Sequence, residues 1–431
     1  MNIGIISLGC AKNLVDSELF LGLSQKYGLS ITNDLNKADF IVINTCGFIA
    51  ASKAESIETI IEMLDYQKQG KKIIVMGCLV ERYLESLMVE IPEVDKFIPI
   101  KDYDHLDKVF NELLNVSHNY NFDYTERVIS TPNKTAYLRI GEGCNNKCHY
   151  CAIPLIRGSY RSRSFESIMA EVEYLHNQGI LELTIIAQDT TTYGSDLENM
   201  SLARLLDSIA SLNYFKWIRV LYLYPDEITE DLINTFKKHD SILNYFDIPI
   251  QHASNKILEN MNRRGTKEYI KLIIEKIRSV IPNSIIRTTL IVGYPTETEK
   301  DFKELINFVK EMKFEHLGAF IYSPEEDTVG FTMRPRVSKK VAARRLEELM
   351  NIQMNINHQR LTSIVGNIYD AIIDRFDDEL NCFKARYFAQ ALDDVDGYIY
   401  LVNLNKQINE GDFVKIKITG IDGYDLIGEL V

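Results

Sequence analysis

Gly141 to Cys151 reads GEGCNNKCHYC and places three of the seven cysteines within eight residues. The run just before it, from Thr135 to Ile140, has the apolar character of a buried strand. Five further runs of that kind follow, near LTIIAQD, IRVLYLY, YFDIPIQH, IIRTTLIVG and HLGAFIYS. Helical segments such as FESIMAEVEYLHNQG, TKEYIKLIIEKIRSVIP and TEKDFKELINFVKEMK separate them. Regular strand and helix alternation implies a parallel sheet, and six units suit a partial (β/α)6 version of the eight-fold barrel. The chemistry of such a barrel lies at the carboxyl ends of its strands, which is where the cysteine triplet falls.

Toward the amino terminus three apolar runs end alike, as IGIISLGC, DFIVINTC and KKIIVMGC. Each reads as a buried parallel strand, with DSELFLGLSQKYG and AESIETIIEMLDYQKQG as crossover helices. Right-handed crossovers align the carboxyl ends along one sheet edge, so Cys10, Cys46 and Cys78 are expected to meet there in an open parallel α/β domain. The polar stretch before Lys134 reads as a linker. Beyond a charged helix from Ser338 to about Ser363, short runs (NIYDAIID, YFAQALDD, GYIYLVN, DFVKIKITG, YDLIGEL) punctuated by Asp-Gly and Gly-Asp turns predict a small antiparallel β-barrel. The expected division is therefore 1–116, linker 117–133, barrel 134–357 and terminal β-barrel 358–431, an α/β protein overall.

The chain has 431 residues, too many for one ordinary core, and a formal net charge of -13. That charge argues against a broad nucleic-acid surface and favours a basic partner. No run is long enough to cross a bilayer, and MNIGIISLGCAKN lacks the basic region and cleavage site of a signal peptide, so a cytoplasmic, reducing setting without membrane association is expected. Clustered thiols there are ligands or catalysts more often than disulfides.

Thiolates select soft metals. Cys144, Cys148 and Cys151 with His149 would satisfy a four-ligand zinc site, but adjacent residues such as Cys148 and His149 rarely point at one ion. Three cysteines without a fourth suit an iron-sulfur cluster whose remaining iron is open. Cys-x3-Cys-x2-Cys with Tyr150 before the last cysteine resembles the signature of the radical S-adenosylmethionine superfamily. That resemblance implies S-adenosylmethionine on the open iron and a 5′-deoxyadenosyl radical.

SLGCAKNLVDSE, NTCGFI and GCLVERY resemble the amino-terminal domain of the methylthiotransferases, which implies a second three-cysteine 4Fe-4S cluster on Cys10, Cys46 and Cys78. With IPLIRGSYRSRS, AQDTTTYG, DIPIQH, NRRG and YDLIGEL, the chain resembles the branch that methylthiolates the β-carbon of an aspartate on ribosomal small-subunit protein 12, from Ile3 to Val431. The tRNA branch tends to carry Gln-Met-Asn where this chain has Ala-Lys-Asn. The resemblance also implies a TRAM-like terminal barrel, an electron donor such as flavodoxin or ferredoxin, and no catalytic side chain beyond the cluster ligands; the sulfur donor stays unassigned. Two positions depart from the family pattern, Thr296 in GYPTET and Asp327 in SPEEDT, where glycine is common.

Other candidates carry weaker signals. Gln188 and Asp189, and Gln251 and His252, end the second and fourth barrel strands, where they would hold cofactor or cap the next helix. Gly293 would admit backbone close to adenine, or satisfy a turn. Tyr150 would stack on adenine or pack in the core. Arg157, Arg161 and Arg163 would contact carboxylates of substrate or cofactor, or form a solvated charged face, the default reading, and Cys382 reads as structural. From 358 to 431 there are seven Lys or Arg against thirteen Asp or Glu, a balance of -6. Such a module repels a tRNA backbone and suits a basic ribosomal protein, with DRFDDE and ALDDVDG (Asp377, Asp378, Asp393, Asp394) as candidate contacts. The competing readings are a tRNA adenosine methylthiotransferase and a metal-binding scaffold without catalysis.

Overall fold

The computed structural model describes residues 1–132, 134–392, 395–402 and 408–431. At the amino terminus, β1 (Asn2–Ser7), β2 (Ser30–Ile31), β3 (Phe40–Thr45), β4 (Lys72–Gly77) and β5 (Lys96–Ile98) form a parallel sheet in the order β2-β1-β3-β4-β5. The helices α1 (Ala11–Lys26), α2 (Ala50–Met63), α3 (Cys78–Glu90) and α4 (Leu106–Leu114) cover its faces. β3 is buried at every position, as both faces of a crossover sheet are covered. Val42, Ile74 and Met76 pack with Phe20 and Phe110 on one side, while Ile41, Ile43 and Val75 pack with Ile60 and Leu79 on the other.

The central sheet comprises β6 (Thr135–Arg139), then, past a two-stranded pair β7 (Gly141–Glu142) and β8 (Arg161–Ser162), β9 (Glu182–Ile186), β10 (Trp217–Val220), β11 (Ile242–Asp247), β12 (Ile285–Val292) and β13 (His316–Ile321). Its order is β13-β12-β11-β10-β9-β6, parallel throughout, which is the expected partial barrel. The outer face (Leu138, Ile185, Val220, Phe246, Ile286) is buried under helices. The inner face (Tyr137, Ile186, Trp217, Tyr245, Ile285) packs against Val15 and Leu19 of α1 and against Ile373 and Tyr387 near the carboxyl terminus. An open barrel cannot fill its own interior, so its neighbours fill it.

The last domain is a closed barrel of β14 (Ile368–Asp377), β15 (Cys382–Tyr387), β16 (Ile399–Leu401), β17 (Phe413–Asp422) and β18 (Asp425–Leu430). Four of its pairings are antiparallel, but β16 and β18 run parallel. Its second strand is Cys382–Tyr387, upstream of the expected YFAQALDD. Ala389, Gln390 and Ala391 are buried in the turn that follows, so their apolar content reflects packing without strand pairing. Arg386 locks this barrel to the centre: its Nη2 lies 2.8 Å from Glu182 and its Nε 2.6 Å from Asp374, with Arg219 Nε 3.2 Å from the same Glu182.

One helix, Lys339–Ile364, runs through the 357/358 division. Its buried residues Ala342, Arg345, Leu349, Gln353, Asn357 and Leu361 form a single stripe, and nothing in its hydrogen bonding interrupts it there. Residues 117–132 hold no helix or strand, and 117–121 are exposed. Arg127 is buried there, 3.2 Å from both Glu18 and Glu171, which straps the first domain to the second. Among the described residues no helix is long and apolar enough to cross a membrane.

Candidate metal centres

The three strands β1, β3 and β4 deliver their cysteines to one edge. Cys10 caps α1, Cys46 follows β3 and Cys78 opens α3. Gly9 makes this approach possible: it adopts φ +89°, and a Cβ there would lie 2.9 Å from Cys46 Cβ and 3.2 Å from its sulfur. Asn13 ties the loops together, donating to the carbonyls of Leu8 (3.1 Å) and Thr45 (2.9 Å), with its Oδ1 3.3 Å from Cys78 Sγ. Burial raises the Cys46 thiol, and pushes Cys78 up to about 11 although Arg157 opposes it. The three thiols lie in one another's fields.

The second trio lies on the loop after β7. Cys144 N donates to Gly158 O (3.1 Å), Cys151 N to Cys148 O (3.1 Å), and Ile153 N to Cys151 Sγ (3.4 Å). Burial pushes Cys144 to about 11 and Cys151 to about 12. Arg263 Nη1 lies 3.8 Å from Cys148 Sγ. Among the described residues no three or more His, Cys, Asp or Glu are gathered to hold a single metal ion. A four-iron cube is held through separate irons and does not need its thiolates gathered on one ion; each trio has a cation beside one sulfur, Arg157 at Cys78 and Arg263 at Cys148, and no fourth cysteine. His149 does not turn to its neighbours; its Nδ1 lies 2.8 Å from Asn260 O.

The two trios adjoin. Helix α5 (Ile153–Arg157) follows Cys151 directly, and Ala152 and Ile156 pack against Cys78. Arg157, expected on a solvated face, is buried instead. It lies 3.5 Å from Cys78 Sγ, 2.7 Å from Asn13 Oδ1, 2.8 Å from Asp16 and 3.4 Å from Glu142. Asp16 pairs also with Arg139 at 2.5 Å. Of the other two arginines, Arg161 is exposed and Arg163 stacks on Tyr124 with its guanidinium carbon 3.4 Å from the ring centroid.

The remaining candidates scatter around these trios. The Tyr150 ring packs beside Ile257, Met261 and Tyr294. Gln188 donates to Glu142 Oε1, while its own Oε1 is buried without a protein partner among the described residues. Gln251 occupies the left-handed region at φ 70° and donates from its backbone to Thr289 O (2.9 Å). Asp189 accepts from Asn146 (2.5 Å) and Thr191 (2.6 Å), with its carboxyl raised by burial and by Glu227. His252 Nδ1 accepts from Ser254 N (2.9 Å), a loop contact. Gly293 has φ +76°, and a Cβ there would lie 2.6 Å from Ala342 Cβ, so the helix packing and the turn both demand glycine. Glu297 accepts from Gly293 N and from Tyr294 N (3.1 Å). Cys382 is half-buried on β15. Sequence reasoning gave no individual role to Lys12, Asn13, Glu142, Arg263 or Glu297, although each falls within a quoted motif (SLGCAKNLVDSE, GEGCNNKCHYC, NRRG and GYPTET).

Residues 2–99 match an uncharacterized protein family, UPF0004, residues 138–309 the radical SAM superfamily, and residues 365–431 the TRAM domain. The ribosomal protein uS12 methylthiotransferase RimO of Clostridioides difficile (strain 630) is 45% identical over 442 residues, covering 100% of this chain and 99% of the relative. RimO of Aquifex aeolicus (strain VF5) is 44% identical over 430 residues, covering 99% of this chain and 97% of the relative. Among solved structures, the radical S-adenosylmethionine methyltransferase TsrM from Kitasatospora setae superposes with a TM-score of 0.57 at 12% identity, covering 76% of this chain and 74% of that one. The cobalamin-dependent radical enzyme OxsB gives 0.52 at 13% identity, covering 82% and 56%. These two share the fold.

Proposed function

The chain belongs to the RimO family of ribosomal protein uS12 methylthiotransferases, and we propose that it adds a methylthio group to the β-carbon of an aspartate of uS12, using two 4Fe-4S clusters. Cys144, Cys148 and Cys151 would hold one and Cys10, Cys46 and Cys78 the other. When bound, the first with S-adenosylmethionine supplies a hydrogen-abstracting radical and the second supplies the sulfur. The observation that carries this reading is the contact of Cys78 with Ala152 across α5, since one substrate carbon has to reach both centres.

The protein's own residues hold that geometry. Arg157 and Asn13 fix the loops of the amino-terminal trio. Arg263, stacked with its guanidinium carbon 3.9 Å from the Tyr224 ring centroid, does so for Cys148. Gln188 and Glu142, with an unpartnered oxygen on Gln188, form a polar wall for S-adenosylmethionine; Tyr150, Gln251 and Gly293 are its other candidate contacts. Apolar packing around Cys78, Ala152 and Ile156 excludes water. Reducing electrons come from a flavodoxin or ferredoxin, the setting is cytoplasmic, and a protein substrate is favoured over tRNA. Among the few cations of the terminal barrel, Arg386 is buried in ion pairs, Lys384 lies 2.6 Å from Asp377 and Lys415 3.0 Å from Asp370, leaving little for phosphate.

Changing Cys10, Cys46 and Cys78 to Ala tests the division of labour. The variant should cleave S-adenosylmethionine to 5′-deoxyadenosine yet form no methylthiolated uS12, as read by mass spectrometry. Continued thiolation would remove the amino-terminal trio from the reaction, and modification of tRNA in place of uS12 by the parent would overturn the substrate.

A further inference from the structure

Lys12, like Arg263, is a buried cation without a carboxylate partner among the described residues, and it differs in this from most of the buried arginines. Arg127, Arg139, Arg157, Arg219, Arg345 and Arg386 each have a carboxylate within 3.3 Å. Lys12 is also buried, at 9% exposure, but its ammonium stands 3.5 Å from the centroid of the Tyr222 ring. Tyr222 also engages it by a side-chain hydrogen bond and the Cys10 thiol lies in its field; among the described residues it forms no ion pair with a carboxylate. Asp247, an acid that feels its charge, is already engaged by Arg287 at 3.5 Å and by Tyr222 N at 3.0 Å. A cation–π contact recovers only part of what taking an ammonium out of water costs. Tyr222 is a neutral partner, so the ammonium still has room for an anion.

Its position says which anion. Lys12 is two residues beyond Cys10, in the first turn of α1, and reaches from the amino-terminal domain to the carboxyl ends of β10 and β11, the reactive end of the partial barrel. Tyr222, which carries the ring, is held in the left-handed region at φ 62°, and its carbonyl accepts from Thr190 N at 3.0 Å. Such a conformation is retained only where the surroundings impose it. The substrate is an aspartate whose β-carbon bears the carboxylate directly, so anchoring that carboxylate fixes the carbon that must receive sulfur.

Resting on the reading of the chain as a uS12 methylthiotransferase, we infer that the Lys12 ammonium binds the side-chain carboxylate of the target aspartate and holds its β-carbon beside Cys10. A charge-assisted contact in a water-poor site discriminates against a neutral amide of the same shape, because the amide leaves the ammonium buried and unpaired.

The test compares reconstituted full-length parent and Lys12→Met for binding of ribosomal protein uS12 and of a uS12 variant with its target Asp changed to Asn. The parent should bind the Asp form at least about ten-fold tighter, a difference of about 1.4 kcal/mol. Lys12→Met should bind both forms equally, at the weaker level, and Lys12→Arg should recover part of the preference. A merely structural role would weaken both forms without changing their ratio. Should the Met side chain lower iron content, Lys12→Gln carries the same comparison with a polar, uncharged chain. Asp-over-Asn preference undiminished in both uncharged variants overturns the inference alone. A parent that neither binds nor modifies uS12 overturns the family-level reading and this inference together.

Discussion

The guanidinium of Arg157 stands 3.5 Å from the sulfur of Cys78, joining a side chain of the partial barrel to a thiol of the amino-terminal sheet. The same group serves Asn13, Asp16 and Glu142, so the junction of the two cysteine trios depends on one planar fork. Arg157→Gln leaves Asp16 with Arg139 as its remaining cation. Breaking a buried pair costs about 3–5 kcal/mol, and the retained partner places this case near the lower end, as read from urea unfolding of the apo protein. Lys at 157 should recover only a minor part, because an ammonium cannot reach the same acceptors as a fork. A loss under about 1 kcal/mol for Gln would show that the junction is held by something else.

Iron content should separate the trios. The reconstituted parent is expected to hold about eight irons, and the Ala variants of either trio about four. Loss of all iron in either triple variant is incompatible with two independent sites.

The acidic face of the terminal barrel should respond selectively. Asp377 is committed to its turn, accepting from Glu379 N at 3.1 Å, Leu380 N at 2.9 Å and Lys384 at 2.6 Å, so neutralising it would disturb the fold. Asp378 and Glu379 are exposed, whereas Asp393 and Asp394 lie outside the described residues. Asp378→Asn with Glu379→Gln should weaken uS12 binding by a few-fold at low salt, since exposed charges are worth about 0.2–1 kcal/mol each. The variant's salt dependence should be flatter than the parent's. Equal affinities at low and moderate salt would exclude this face as the contact.

His316 gives the fold an acid-sensitive joint. Its Nε2 lies 2.7 Å from Ala389 O and its Nδ1 3.4 Å from Asp396, between β13 and the terminal barrel. Burial lowers its pKa from 6.5 to about 4. Between those values the unfolded chain binds a proton that the folded chain refuses, so stability present above about pH 6.5 is lost progressively as pH falls toward about 4. The urea midpoint should therefore drop from pH 7 to pH 5 by more in the parent than in His316→Gln. Parallel midpoints in the two proteins would assign the acid sensitivity elsewhere.

Thr296 and Asp327, the two departures from a glycine pattern, both lie in the left-handed region, at φ 69° and 63°. A side chain there costs about 1–2 kcal/mol. Asp327 is exposed, and Asp327→Gly should raise stability by up to about 1 kcal/mol. Thr296 Oγ1 accepts from Asn260 at 2.6 Å, and losing that bond, worth about 1 kcal/mol, should make Thr296→Gly close to neutral. Thermal melts would read the contrast, and equal gains in both variants would contradict it.

The partial barrel and the amino-terminal sheet were legible because strand and helix periodicity is local, and a parallel sheet with right-handed crossovers has few ways to arrange its carboxyl ends. Cys10, Cys46 and Cys78 could be grouped on that ground alone. The TRAM-like barrel was legible as a set of short runs, but its second strand was misplaced because the buried Ala389 and Ala391 mimic strand residues while packing in a turn.

The sequence by itself determined the three units, the two cysteine trios and the sheet edge where one trio meets. Only the tertiary structure decided that the trios adjoin across α5, that Arg157 is buried against Cys78 and Lys12 against Tyr222, and that Arg386 plugs the open barrel through Glu182. The reason is the range of the interactions. Strand and helix patterns repeat within a few residues, but a lone Lys or Arg reads as surface. Its burial becomes visible only when a partner such as Cys78, 79 residues from Arg157, or Glu182, 204 residues from Arg386, is brought to it by the fold.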